Sequence, residues 1–281
     1  MNIQASDVKK LRDITGAGMM DCKKSLIECG GDFKQAEKKL KELGLAAAAK
    51  RSHKATENGR ITTKVAGTKA GILELFCETD FVSRNKDFVE LSGKLLDDVL
   101  THGYTDVNEP ALADQVSDIT ARIKENMGLK RFTAMDIAEN EYVSQYIHGE
   151  GSIGVLVKIS SDKPEVFSLE EVQTLAFDLA LHTAFHNPPY LDKGQVDTAY
   201  LDEQEDIFRK QTEALGKPPQ VIDNIVKGKI QKHFSEICFL QQPFVKDDKR
   251  SVEQVLADVG KAHGASLSLV DYVYYRVGEE S

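Results

Sequence analysis

The chain has 281 residues, 41% of them apolar, and a formal net charge of −9. That length accommodates one large or two to three modest domains with a real core. The acidic balance excludes a protein whose main work is neutralising phosphate backbones, which favours a partner protein or small substrate over direct nucleic-acid binding. Cys22, Cys29, Cys77 and Cys238 are scattered without a C-x-x-C pair. No secretory apolar region and no apolar run of about 18 residues occurs, so reduced, buried cysteines in a cytosolic protein without a membrane span are expected. The opening MNIQASDVKK contains an acid and no Arg-rich amphipathic pattern, unlike an organellar transit peptide.

Residues 6 to 44 read as three short helices. Ser6 or Asp7 is placed to cap a first helix carrying Val8, Leu11 and Ile14 on one face, and Thr15-Gly-Ala-Gly18 breaks it. A second helix, from about Met19 to Cys29, ends at Gly30-Gly31. Asp32 then caps a third, whose Phe33, Ala36, Leu40 and Leu43 recur at helical spacing. Ala46 to Lys54 is small, basic and without an apolar face, a linker or a helical extension. Together these residues define an N-terminal module, 1–54.

From Gly59 the period changes. Ile61, Thr63 and Val65 alternate, Gly67 turns the chain, and Gly71 to Cys77 is a nearly continuous apolar run, which together predict a β-hairpin. The polar turn that follows, Thr79-Asp-Phe-Val82, contains a large ring. A Phe left in water forgoes roughly 1.5–3 kcal/mol, so Phe81 either tucks beneath its own turn or is covered by something else. Helices at about Asp87 to Leu100 and Ala111 to Glu125, the latter ending near Met127-Gly128, complete a subdomain spanning 55–140.

The pattern then repeats. Tyr142 to Ile147 and Ser152 to Ser160 bracket His148-Gly-Glu-Gly151 as a second hairpin, and Glu170 to His182 repeats the helix with Val172, Leu175 and Leu179. An internal duplication and a two-lobed α+β core are therefore expected, the second lobe formed by 141–190 and 235–281. Where the first unit has Phe81, the second has the plain polar turn Ser160-Ser-Asp-Lys-Pro164, so the fold itself does not require the ring. Residues 191–234 read as an inserted antiparallel helical hairpin that turns at Gly216-Lys-Pro-Pro219. Its apolar stripe must pack on the core or on a second copy. A helix near Val252 to Lys261 and a strand from Leu267 to Val277 close the chain.

Motifs for enzyme chemistry are missing: there is no P-loop, dinucleotide fingerprint, nucleophile elbow or H-E-x-x-H zincin signature. Asp178, His182 and His186 follow i, i+4, i+8 spacing and in principle suit zinc, although no fourth ligand or catalytic Glu accompanies them. Histidines near a helix C-terminus also have a plain electrostatic explanation. The basic residues from Lys34 to Lys54 alternate with acids and read as a solvated helix face. Met19-Met20 after a Gly-rich turn is either an adaptable binding knob or core packing for one of the two.

Two stretches carry a resemblance to a known family. LRDITGAGMMDCKKSL (11–26) and ELFCETDFVSR (74–84) resemble the signature segments of the elongation factor Ts family, and the likeness continues in order through YIHG (146–149), IGVLV (153–157), GKP (216–218) and QPFV (242–245). The resemblance implies a ubiquitin-associated-like three-helix module, a core of two α+β subdomains, and a hairpin that serves dimerisation in longer members. It implies guanine nucleotide exchange on elongation factor Tu, without catalytic chemistry, cofactor or metal of its own. In that reading Asp80 and Phe81, flanked by Thr79 and Val82, intrude beside the Mg²⁺ and nucleotide site of the GTPase. Met19, Met20 and Lys23 contact its G domain, as does Met127 or Leu129, and His148 approaches from the second subdomain. Ser25 and Phe76 depart from the usual family residues, and the chain stops at Ser281, short of an extension that some members carry. The alternatives are a non-exchange interaction scaffold and a zinc hydrolase centred on Asp178, His182 and His186.

Overall fold

A computed structural model describes residues 3–15, 17–49, 56–216 and 218–279. Val8 and Leu11 of α1 (Ala5–Thr15), Cys22 and Leu26 of α2 (Met19–Glu28), and Ala36 and Leu40 of α3 (Phe33–Ala49) bury one another in a small three-helix core. Asp32 caps α3 through its side chain, which accepts from the Gln35 amide at 3.0 Å. Helix α1 starts at Ala5, so Ser6 and Asp7 lie in its first turn instead of capping it. Ile14 is exposed because the inner stripe of α1 ends at half-buried Thr15, whose hydroxyl donates to the Leu11 carbonyl at 2.7 Å. Leu43 is exposed as well. Helix α3 continues through Ala49, and the rest of the Ala46 to Lys54 stretch lies outside the described residues.

The hairpin expected near 59–77 forms as β1 (Asn58–Ala66) and β2 (Lys69–Cys77). After it come the single turn α4 (Asp80–Ser83), then α5 (Lys86–His102) and α6 (Pro110–Ile123). A third strand, β3 (Met127–Asp136), then pairs antiparallel with β2. This strand escaped the sequence pattern because most of its residues are half-covered on both faces, which leaves no alternation to read. Leu73, Leu75, Phe88, Leu95, Leu96, Val99 and Leu112 fill the layer between this sheet and its helices.

The second lobe repeats the plan. Strands β4 (Glu141–His148) and β5 (Ile153–Ser161) lead through a short 3₁₀ turn, Pro164–Ser168, into α7 (Glu170–His186). The long hairpin α8 (Thr198–Glu213) and α9 (Pro219–Ile237) follows, and Val196, Phe234 and Cys238 form a small core at its base. Strands β6 (Pro243–Phe244) and β7 (Asp247–Ser251), helix α10 (Val252–Ala262) and β8 (Leu267–Arg276) finish the chain. Strand β8 pairs antiparallel with β5, giving sheet orders β1-β2-β3 and β4-β5-β8.

For the central strands, the helices that follow them and the third strands, the correspondence between the lobes holds residue by residue. β2 and β5, like α5 and α7, lie 84 residues apart at both ends, whereas β3 and β8 lie 140 apart. Each central strand carries a register shift at the matching place, Glu74/Leu75 in one and Lys158/Ile159 in the other. Each long helix ends in His followed by a left-handed residue, Gly103 or Asn187. The fold is therefore α+β with a duplicated core. The two sheets pack against each other through Ile61, Ile72, Val143, Leu156 and Tyr275. At this seam Gly154 lets the sheets approach closely, since a Cβ there would meet Cγ2 of Ile61 at 2.3 Å. Helices cover the outer faces, and no helix among the described residues is long and apolar enough to cross a membrane.

Candidate protein-docking site

Phe81 is 83% exposed. Its turn is built to hold it there. Val82, the next residue, is buried in the lobe core and pins the turn from beneath, which points Phe81 outward. Thr79 caps α4 by accepting the Val82 amide at 3.3 Å, while its own hydroxyl and amide donate to the two carboxylate oxygens of Glu125 at 2.9 and 3.2 Å. Cys77 Sγ donates to the Thr79 carbonyl at 3.2 Å, and burial pushes its thiol pKa up to about 12, so it remains a neutral donor. The possibility that the ring tucks beneath its own turn is thereby removed. The second lobe's turn is less plain than its sequence suggested. Val166 is buried and Phe167 stacks on Tyr142 at 5.6 Å, but Glu165 occupies the position matching Phe81.

The neighbouring loop belongs to the second lobe. Arg84 Nε donates to Glu150 Oε2 at 3.1 Å and also lies 3.8 Å from Asp80, so a salt bridge joins the Phe81 turn to the β4–β5 connection. That connection takes left-handed backbone at Gly149, Glu150 and Gly151 (φ 55°, 56° and 101°). A non-glycine residue rarely adopts this conformation. Here it is held by Arg60, whose guanidinium donates to the Glu150 carbonyl at 2.7 Å. Gly151 is required on two counts, because a Cβ would strike Arg60 Cγ at 2.8 Å and the φ is positive. His148, exposed at the start of this loop, is oriented by a 3.0 Å hydrogen bond between Nδ1 and the Tyr146 hydroxyl.

The N-terminal module adjoins the same region. Lys124, left-handed at the end of α6, donates to Asp21 of α2 at 2.8 Å. Met19 and Met20 at the start of α2 are 41% and 74% exposed, and Lys23 is exposed beside them. Neither Met is committed to the module's core. Met127 is placed differently: it is 6% exposed and packed within the first lobe, so a direct surface contact is not available to its side chain. Leu129, half-buried, is the more accessible of the two. Beside it the Phe76 ring covers Gly128, where a Cβ would come within 2.4 Å of the ring.

The zinc reading is overturned by the geometry of His182. This residue is fully buried, its Nδ1 accepting the Val245 amide at 3.2 Å and its Nε2 donating to Gln242 Oε1 at 2.8 Å. Both nitrogens are thus engaged, and burial lowers its pKa to about 4. Asp178 pairs instead with Lys246 at 3.6 Å. Among the described residues no group of three or more His, Cys, Asp or Glu is placed to hold a metal ion. Cys22, Cys77 and Cys238 are buried thiols, whereas Cys29 is only partly covered, contrary to the expectation for all four.

Exposed side chains at three neighbouring places, the apolar Phe81 and Met19-Met20 and the polar His148, offer burial and orientation to a second macromolecule. The Elongation factor TS family model matches residues 78–279. Elongation factor Ts of Treponema denticola is 49% identical over 99% of both chains. That of Borrelia hermsii is 43% identical over 99% of this chain and all of its own, and that of Treponema pallidum 43% over 99% of both. The class is thus that of the translation elongation factors. Within it, the chain belongs to the elongation factor Ts family.

Glu125, just past the end of α6, is not recognisable as part of this site from the sequence. A carboxylate two residues before a strand gives no local signal, because its partner Thr79 is distant in the chain.

Proposed function

We propose that this protein is a guanine nucleotide exchange factor that promotes GDP release from elongation factor Tu, with the Asp80-Phe81 turn inserted beside the Mg²⁺ and nucleotide site. The observation that supports this most directly is Phe81, 83% exposed on a turn whose cap and core anchor keep it out. GDP and Mg²⁺ order the switch and phosphate-binding elements of a GTPase. A partner that binds the nucleotide-free arrangement better weakens nucleotide binding by the factor by which nucleotide weakens the partner. Such work needs an anchored wedge and a docking surface, with no acid, base, metal or cofactor supplied by the factor.

In this reading Thr79 and Val82 hold the wedge, Met19, Met20 and Lys23 of module 1–54 dock on the G domain, and Leu129 adds a contact that Met127 supports from within. His148 approaches from the lobe formed by 141–190 and 235–281, and the hairpin within 191–234 offers a surface for homodimerisation. The test is release of labelled GDP from elongation factor Tu at increasing concentrations of this protein. Wild type is expected to accelerate release, and Phe81→Ala to slow it about ten-fold or more, the equivalent of losing one ring's burial. Binding to the GTPase without faster release would instead support a non-catalytic interaction scaffold.

A further inference from the structure

The two lobes provide an internal control for the polar contacts around the Phe81 turn. In the first, the Asn126 amide donates to Glu78 Oε1 at 2.6 Å; in the second, the Ser266 amide donates to Asp162 Oδ1 at 2.6 Å. Glu78 and Asp162 correspond through the central strands, and Asn126 and Ser266 through the third strands. The preceding Lys124 and Gly264 also correspond, with φ of 65° and 64°. This acid-to-amide bond is therefore part of the shared fold.

The neighbouring contact is not shared. By the same correspondence Glu125 matches Ala265, Thr79 matches Lys163 and Phe81 matches Glu165. The second lobe's turn has no side-chain cap, and Lys163 reaches the Gly264 carbonyl at 2.6 Å. The fold thus closes this corner without a carboxylate at position 125 and without a capping hydroxyl. Both occur in the lobe whose turn exposes a Phe.

We infer that Glu125 is a positioning residue for exchange, holding Thr79 by two hydrogen bonds so that the single turn α4 keeps Phe81 aimed away from its own lobe; this rests on the exchange reading above. A four-residue helix has no stability of its own, since a single turn costs more ordering than it returns in hydrogen bonds. Its conformation depends on what grips its ends. Below it Val82 fixes the depth of the turn. Glu125 fixes the Thr79 hydroxyl, which donates to the carboxylate and leaves its lone pairs for the Val82 amide. Without the carboxylate the turn samples other orientations, and only the fraction correctly aimed is competent.

The experiment measures GDP release from elongation factor Tu against factor concentration for wild type, Glu125→Ala, Glu125→Gln, Phe81→Ala and the Phe81→Ala/Glu125→Ala double variant, all as full chains. Glu125→Ala is expected to lower the maximal release rate about five-fold, the equivalent of one lost cap, with little change in the half-saturating concentration. Glu125→Gln, whose amide oxygen still accepts the Thr79 hydroxyl, recovers part of that rate. In the Phe81→Ala background Glu125→Ala has no further effect, because no ring remains to be aimed. Amide exchange in the free protein should show Val82 losing protection in Glu125→Ala while the amides of β2 keep theirs. Equal losses in both backgrounds, or unchanged Val82 protection, would overturn the positioning role while leaving the exchange reading intact. A wild-type protein that fails to accelerate GDP release would instead sink the exchange reading and the positioning role together.

Discussion

Phe81 and His182 show opposite uses of a single side chain. For Phe81 the ring is solvent-exposed in the free protein, so its removal costs the lobe no packing. Phe81→Ala is therefore expected to leave the melting temperature within about 2 °C of wild type, as differential scanning calorimetry would show. His182 is buried as the neutral imidazole among Gln242, Val245 and Phe239, with its pKa lowered to about 4 by desolvation. Because its folded pKa lies below the unfolded value, its contribution is fully present above about pH 6.5 and is lost as pH falls toward 4. Between pH 7 and pH 5 the unfolding free energy should fall by about 2 kcal/mol from this residue, and burial shifts neighbouring His186 in the same direction. Urea titrations of wild type and His182→Gln at the two pH values check this, the variant showing the shallower dependence.

Among the elements, what the sequence made legible depended on whether a segment's burial was one-sided. Helices α5 and α10 bury one clean stripe, and their limits were readable to within two residues. Strand β3 is half-covered on both faces and gave no period, so the third strand of the first sheet went unread. The site divided along similar lines. Phe81 stood out because a large ring in a polar turn violates local expectation, and its neighbour Val82 explains how the violation is maintained. Glu125 and the Arg84–Glu150 bridge depend on contacts between distant segments, which no window of sequence contains. Helix α2 has two distinct faces: Cys22 and Leu26 look into the module while Met19, Met20 and Lys23 look out. Met20→Ala is expected to raise the half-saturating factor concentration in the GDP-release assay about three- to ten-fold, as for an interface side chain of moderate weight. Its melting temperature should stay near that of wild type.

Across the whole molecule, the two lobes are joined sheet to sheet, with further ties at the edges. Arg131 donates to the Arg276 carbonyl at 3.1 Å and lies 4.1 Å from the Tyr275 ring centre, and Tyr275 bonds Thr133 at 2.7 Å. Gly154 allows this approach, so Gly154→Ala must separate the seam or displace Ile61. The expected loss is about 1–3 kcal/mol of unfolding free energy, as in other overpacked cores, measurable as a lower urea midpoint with an unchanged slope.

The seam also sets the stiffness of the protein. The Phe81 turn and the His148 loop are tied by the Arg84–Glu150 ion pair, and the sheets they extend from pack against each other. A closely packed interior of this kind is nearly incompressible. The spacing between the two loops is therefore set within the free protein.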